Sequence, residues 1–252
     1  MFIFDKHLIS NMWPFRSKKS LYETGIFNGL IDWHSHILPG VDDGIKTLDE
    51  AIRVLQSYED LGVKKIWLTP HIMEDYPNST EELRLKYQEL KSLWKGNLEI
   101  KLAAENMLDN LFENRLDNND LLPIGDDGNH LLIETSYYTP PFGMDEMLEK
   151  IKHKGYFPIL AHPERYRYMD KKDYIKLKED GLLFQLNFVS LVGGYGETAR
   201  DKAEWLLKED MIDLIGSDVH KLESVMSQIK IALKRKEVEK LLIDLASRPK
   251  IV

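Results

Sequence analysis

The chain reads Asp32-Trp33-His34-Ser35-His36 at the close of an apolar run that starts at Phe27. Side chains alternate faces along a strand, so an extended backbone here turns His34 and His36 the same way. Two imidazoles side by side at a strand end make a bidentate clamp for a metal ion. A polar strand cap is the plainer alternative, and the rest of the chain must supply any further ligands.

Outward from this stretch, short apolar runs alternate with helical patterns. Residues 27–33, 65–69, 99–104, 130–135, 157–161, 182–187 and 212–217 read as strands buried on both faces. Thr47-Leu48-Asp49-Glu50 and Ser79-Thr80-Glu81-Glu82 read as capping boxes that open helices. Ala51, Val54, Leu55, Tyr58 and Leu61 form the buried stripe of the first helix, and Gly62 stops it. Leu83, Tyr87, Leu90 and Trp94 repeat the spacing in the second. Further helices are expected over 142–154, 173–179 and 198–209, with one C-terminal helix over 224–246. The acidic, Asn-rich stretch 109–129 reads as a short helix plus an excursion. Strands alternating with helices argue for parallel pairing through right-handed crossovers. Seven such units predict an α/β fold closed, or nearly closed, into a seven-stranded barrel. The 252 residues suit one such domain over 26–252, after an N-terminal extension over 1–25.

Composition narrows the chemistry. A net charge of −8, with Lys and Arg interspersed among acids, argues against a nucleic-acid partner. There is no cysteine, which excludes disulfides, thiolate zinc sites and cysteine nucleophiles. No apolar run approaches the ~20 residues of a membrane span. The apolar start is too short for a signal-peptide core, so a cytoplasmic location is expected. Met12 offers an alternative start, and Trp13, Phe15, Lys18 and Lys19 offer a patch for weak membrane-surface contact.

Parallel barrels build active sites at strand C-terminal ends, and here those ends repeat one chemistry. The first run ends in His34 and His36, and its loop carries Asp42 and Asp43. The next three end in Thr69-Pro70-His71, Ala103-Ala104-Glu105 and Ile133-Glu134-Thr135. The last three end in Ala161-His162-Pro163-Glu164-Arg165, Leu186-Asn187 and Gly216-Ser217-Asp218-Val219-His220. Five of the eight histidines fall at these ends. Singly, each residue has a plain structural reading as a loop cap or a satisfied core group. Jointly, so many buried carboxylates and imidazoles are costly unless cations neutralise them. The joint reading is a multinuclear metal centre with nitrogen and oxygen ligands, a donor set that Mn, Fe, Zn and Co all accept.

The set D-x-H-S-H, V-D-D-G, T-P-H, A-E, I-E, A-H-P-E-R-Y and S-D-x-H resembles the polymerase-and-histidinol-phosphatase (PHP) superfamily. The run His34-Ser35-His36-Ile37-Leu38-Pro39-Gly40-Val41-Asp42-Asp43-Gly44 resembles, more narrowly, the bacterial manganese-dependent protein-tyrosine phosphatases of capsule and exopolysaccharide clusters. The likeness extends from Asp32 to His220. It implies a distorted seven-stranded (β/α) barrel of PHP type, with the active site at the strand C-terminal ends. It further implies two or three divalent ions, manganese foremost. His34, His36, Glu105 and Asp218 would hold the first, Glu105, Glu134 and His162 the second, and Asp43, His71 and His220 the third. Asp43 is preferred over Asp42 by the motif match alone. Arg165 resembles the family's phosphate-binding arginine.

The implied reaction is phosphomonoester hydrolysis by in-line attack of a metal-bridging hydroxide. The implied substrate is phosphotyrosine on the tail of a bacterial membrane tyrosine kinase that controls capsular or exopolysaccharide synthesis. Asp32, Glu164 and Asn187 are candidate supports for the ligands. Two rivals share the fold: a phosphatase of small metabolites such as histidinol phosphate, and a non-catalytic binding module. One departure stands out. Some relatives carry basic residues after the second-strand histidine, where this chain has the acidic run Ile72-Met73-Glu74-Asp75. The oligomeric state is left open.

Overall fold

The structure is a computed structural model that describes residues 18–248. The alternative start at Met12 and the Trp13–Phe15 patch lie outside the described residues. The elements run α1 (Leu21–Thr24), β1 (Ile31–Asp32), α2 (Leu48–Leu61), β2 (Lys65–Leu68), β3 (His71–Ile72) and α3 (Thr80–Leu93). Then come β4 (Glu99–Leu102), β5 (Glu105–Met107), α4 (Asn110–Asp117), β6 (His130–Glu134), α5 (Met144–His153) and β7 (Phe157–Ala161). The chain closes with α6 (Lys171–Glu179), β8 (Leu183–Asn187), α7 (Glu197–Lys208), β9 (Leu214–Gly216), α8 (Leu222–Gln228) and α9 (Lys236–Ser247).

All strand pairs are parallel, in the orders β1-β2-β4 and β3-β5-β6-β7-β8-β9. Two chain runs serve both sheets. Thr69-Pro70 separates β2 from β3, and Ala103-Ala104 separates β4 from β5. At the opposite edge, Trp33 N donates to Ile215 O at 3.1 Å and Asp218 N to His34 O at 2.8 Å. His36 N donates to Val219 O at 3.1 Å. The result is an α/β fold with a half-barrel of parallel strands, its helices carried between successive strands.

Side-chain alternation divides the core in two. Ile66 and Leu68, Leu131 and Ile133, and Leu160 belong to the large core shared with the helices. Trp67, Leu132, Ile159, Ala161 and Leu214 belong to a smaller cluster on the other face. There Trp33 and Trp67 stack at 6.0 Å between centroids. The same inner parity, carried toward the C-terminal end, changes from apolar to polar. Trp67 gives way to Thr69 and His71, Ala103 to Glu105, Leu132 to Glu134, Leu183 to Gln185 and Asn187, and Leu214 to Gly216 and Asp218. One face of each strand therefore floors the site with hydrocarbon and then furnishes its ligands.

Three expectations are corrected. The first strand is only Ile31–Asp32, because the chain turns through Gly25 and Gly29 at φ 76° and 82° before it. The C-terminal helix is two helices. Between them Leu233 N donates to Lys19 O, Ala232 bridges Ser20, and Tyr22 N reaches Ile229 O, so the chain leaves helical geometry to hold the segment before β1. Residues 18–25 are thereby tied to the domain, with Leu21 fully buried. The capping box at Thr47 is half formed: Thr47 accepts from Glu50 N, while the Glu50 carboxylate accepts from Lys46 N. At Ser79 the box is complete.

Trp67 is 4% exposed and packs in the inner cluster against Trp33. Trp67→Ala is expected to lower stability by about 3–5 kcal/mol in urea unfolding. A loss under about 1 kcal/mol would show that the inner cluster does not support the site from below.

Candidate metal centre

All nine residues read from the sequence as ligands converge on one end of the strands. Ring and carboxylate atoms fall into three groups within 4.8 Å: His36, Asp43, His71 and His220; His34, His36 and Glu105; His71, Glu105 and Glu134. His162 and Asp218 border these groups. His162 Nε2 lies 2.9 Å from Glu105 Oε1 and 3.8 Å from Glu134 Oε2. Asp218 Oδ1 lies 3.6 Å from His34 Nε2 and 3.3 Å from His36 Nε2. Glu105 is central, with Oε2 at 3.1 Å from both His34 Nε2 and His71 Nδ1.

Local backbone geometry places these groups. After β7 the chain turns sharply: His162 takes φ 34°, and Pro163–Arg165 form a 3-10 turn. Asp218 follows β9 at φ 53°. Left-handed backbone costs a non-glycine residue about 1 kcal/mol or more, and it recurs at functional sites. After His36 the loop bends back so tightly that a Cβ on Gly44 would lie 2.2 Å from His36 O. That bend separates the two neighbouring aspartates. Asp42 turns under His36, accepting from its Nδ1 at 2.8 Å and from His71 N at 3.0 Å. Asp43 faces the cavity, with Oδ1 at 3.2 Å from His220 Nε2 and 3.6 Å from His71 Nε2.

Charge is balanced within the site. Burial opposes a positive imidazole, yet the Glu105 and Asp218 carboxylates raise His34. Burial likewise opposes His36, but Asp42, Asp218 and Glu105 hold it well above the usual histidine value. Against burial and the neighbouring His36, Glu105 and Glu134 bring His71 up to about 10. Burial would raise Glu105 and Asp218, but the imidazoles, with Arg165 beside Asp218, hold both well below the usual carboxylate range. His162 goes the other way, lowered by burial and by Arg165.

The orphaned atoms test whether cations fit. His34 Nδ1 meets the Gln185 amide oxygen at 2.7 Å, and His36 Nδ1 meets the Asp42 carboxylate. Both partners accept only, so both Nδ1 atoms carry protons. In the neutral rings the two Nε2 atoms then present lone pairs to each other across 3.0 Å. Glu105 Oε2, Glu134 Oε1 and His71 Nδ1 are buried without a well-aligned hydrogen bond, although His71 Nδ1 lies 3.1 Å from the first and 3.0 Å from the second. Groups that approach closely without pointing at one another fit donors aimed at shared cations.

Arg165 stands at the edge of a cavity of about 650 Å³ that Asp43, His71, Glu134, His162, Asp218 and His220 also line. Its guanidinium lies between the rings of Tyr137 and Tyr195, at 4.3 and 4.1 Å from their centroids. Its Nη1 donates to Asp218 Oδ2 at 2.8 Å, and that oxygen also accepts from Asn187 and from Tyr195. The acidic run after His71 turns away from the centre: Glu74 N donates to Asp109, and the Glu74 carboxylate accepts from Asn110. Met73 and Tyr76 line the cavity instead.

Of the candidate supports, Asn187 touches Asp218 directly. Asp32 accepts from His34 N and Ser217 N through Oδ1, and burial pushes it up to about 6. Glu164 points elsewhere, to Asn187 N and Ser190, and burial pushes it up to about 7. Sequence reading missed Gln185, Asp42 as the partner of His36, and the tyrosine pair around Arg165. Gln185 was legible as the inner-parity neighbour of Asn187. The tyrosines come from separate loops and carry no local signal.

The model of the family described as capsular polysaccharide synthesis, CpsB/CapC, matches residues 30–244. The putative tyrosine-protein phosphatase CapC of Staphylococcus aureus is 31% identical over 204 residues, covering 77% of this chain and 78% of its own. The tyrosine-protein phosphatase CpsB of Streptococcus pneumoniae is 30% identical over 208 residues, covering 77% and 84%. A solved structure from work on YwqE of Bacillus subtilis and CpsB of S. pneumoniae, described as unique metal-dependent tyrosine phosphatases, superposes with a TM-score of 0.69. It is 24% identical and covers 86% of this chain and 95% of that one, which establishes the likeness of fold. With a family model spanning most of its length and relatives matched over three quarters of it, the chain belongs to the CpsB/CapC family of capsular polysaccharide synthesis proteins.

Proposed function

We propose that this protein is a metal-dependent protein-tyrosine phosphatase that acts in capsular or exopolysaccharide synthesis. The observation that carries this reading is Arg165, held between two tyrosine rings beside a cavity lined by six of the nine converging imidazole and carboxylate groups. The curated relatives are named as tyrosine phosphatases, which supports the same substrate class here. We read the two sheets, joined through shared runs and through the bonds between β1 and β9, as one distorted seven-stranded PHP barrel over 26–252.

His34, His36, Glu105 and Asp218 would hold one divalent ion, Glu105, Glu134 and His162 a second, and Asp43, His71 and His220 a third, with manganese the preferred metal. When bound, such ions supply Lewis acidity that neutralises phosphoryl charge and makes water acidic enough to attack near neutral pH. The protein's own groups do the rest. Arg165 spends one N–H on Asp218, and its remaining N–H groups have no hydrogen bond among the described residues. They are placed to take phosphoryl oxygens and to stabilise charge that grows on them. Met73 and Tyr76 give the cavity an apolar wall suited to an aryl ring. The leaving phenolate is stable enough that no side-chain acid is needed. The substrate we assign is the phosphotyrosine tail of a membrane tyrosine kinase, met in the cytoplasm. Among the described residues no helix is long and apolar enough to cross a membrane.

Purified protein is expected to hydrolyse a phosphotyrosine peptide, to lose this with a chelator and to regain it with manganese, while histidinol phosphate is left untouched. Turnover of histidinol phosphate alone would overturn the assignment. Arg165→Ala is expected to lower kcat on the peptide about 10²–10³-fold, with an unchanged circular dichroism spectrum. Unchanged kcat would remove Arg165 from the reaction.

Metal ligation needs neutral imidazoles, whereas the carboxylates raise His34, His36 and His71 and so hold their protons to higher pH. Each proton must be displaced, so affinity climbs as pH rises toward those raised values. Manganese affinity, read by chelator competition, is expected to gain about tenfold per pH unit for each proton displaced, between about pH 6 and about pH 8. A flat profile would show that the metal does not meet these rings.

A further inference from the structure

Gln185 and Asn187 of β8 are fully buried, and neither lines the cavity. The direction of their hydrogen bonds is fixed from one end. Asp218 Oδ2 is a carboxylate oxygen and can only accept. It accepts from Asn187 Nδ2 at 2.8 Å, so Asn187 turns its amide oxygen the other way. That oxygen accepts from Gln185 Nε2 at 2.9 Å, which turns Gln185 Oε1 onto His34 Nδ1 at 2.7 Å. An amide oxygen cannot donate, so the proton sits on His34 Nδ1, and His34 Nε2 is the nitrogen presented to His36 Nε2 and Glu105 Oε2. Reversing any one amide would set two acceptors against each other.

We propose that Gln185 and Asn187 are positioning residues: a one-way hydrogen-bond line running from Asp218 to His34 that decides which His34 nitrogen meets a metal ion. The line also commits Asp218 Oδ2, together with Arg165 and Tyr195, and leaves Asp218 Oδ1 for the centre. Room for it depends on Gly216, where a Cβ would lie 2.6 Å from both Gln185 Nε2 and His34 Cβ. Parallel strands bring the three side chains together: β8 pairs with β9 at Asn187 and Gly216, two residues before Asp218. The inference rests on the metal centre proposed above, but not on the identity of its substrate.

The test is the affinity of the full chain for manganese alone, by competition with a chelator at fixed pH, in wild type, Gln185→Met, Asn187→Leu and the double variant. Thermal melting of the metal-free proteins checks folding. Each single substitution is expected to weaken binding about tenfold or more. The double should lose no more than the worse single, because both cut the same line. Gln185→Glu keeps an acceptor on His34 Nδ1 and is expected to bind more tightly than Gln185→Met; with Asn187→Leu it carries the test if Gln185→Met does not fold. Unchanged affinity in the single variants, losses that multiply in the double, or equal losses in Gln185→Glu and Gln185→Met overturn the line. Wild-type protein that binds manganese with this pattern, but spares phosphotyrosine peptides, refutes the proposed function and supports the line.

Discussion

Two carboxylates, Glu105 and Asp218, are buried at the end of a parallel sheet. An uncompensated carboxylate at such a depth costs several kcal/mol, so the surrounding fold is arranged to answer them. His34, His36 and His71 face them and are raised by them, and Arg165 comes in from the side. Protons on the imidazoles and divalent ions are therefore alternatives for one task. Protons displaced from the raised imidazoles offset part of the positive charge that divalent ions would bring.

Meeting this constraint requires backbone that ordinary strand and helix geometry does not provide. His162 and Asp218 adopt left-handed conformations. Gly44 and Gly216 permit approaches that any Cβ would block. His162 and Asp218 sit just past the ends of β7 and β9, Gly44 lies in the loop after His36, and Gly216 is the last paired residue of β9. The strands themselves stay regular, and the stacked pair of Trp33 and Trp67 lies beneath them as a dry floor. Low dielectric below and packed rings around the site strengthen every interaction between its charges.

The alternation of strands and helices, and the gathering of His, Asp and Glu at strand ends, were legible because both follow from chain periodicity. Parity explains why His71, Glu105, Glu134 and Asp218 meet, since each continues the inner face of an apolar strand. It also shows why the first strand misled. Trp33 lies in the inner cluster, yet His34 and His36 also reach the site, because regular pairing ends at Asp32. The choice of Asp43 over Asp42 could not be made from spacing; it depends on the bend at Gly44. The break in the C-terminal helix was hidden as well. Its cause is the segment around Ser20, more than 200 residues away in the chain, and helical propensity carries no information about such a partner.

Arg165 shows how the centre can be strongly charged and still open to an anion. A free arginine beside so many carboxylates would fold down and bind them in pairs. Here the rings of Tyr137 and Tyr195 hold the guanidinium from both faces, and one N–H is committed to Asp218. The tether fixes depth, and the rings fix orientation. The remaining N–H groups then stay at the cavity wall instead of closing over Glu105 and Glu134. Glu74, which could have competed for the same cation, is held by Asn110 and by its own backbone bond to Asp109. Turning the acidic loop away from the centre and restraining the arginine serve one electrostatic end: the guanidinium stays at the cavity wall, open to an anion.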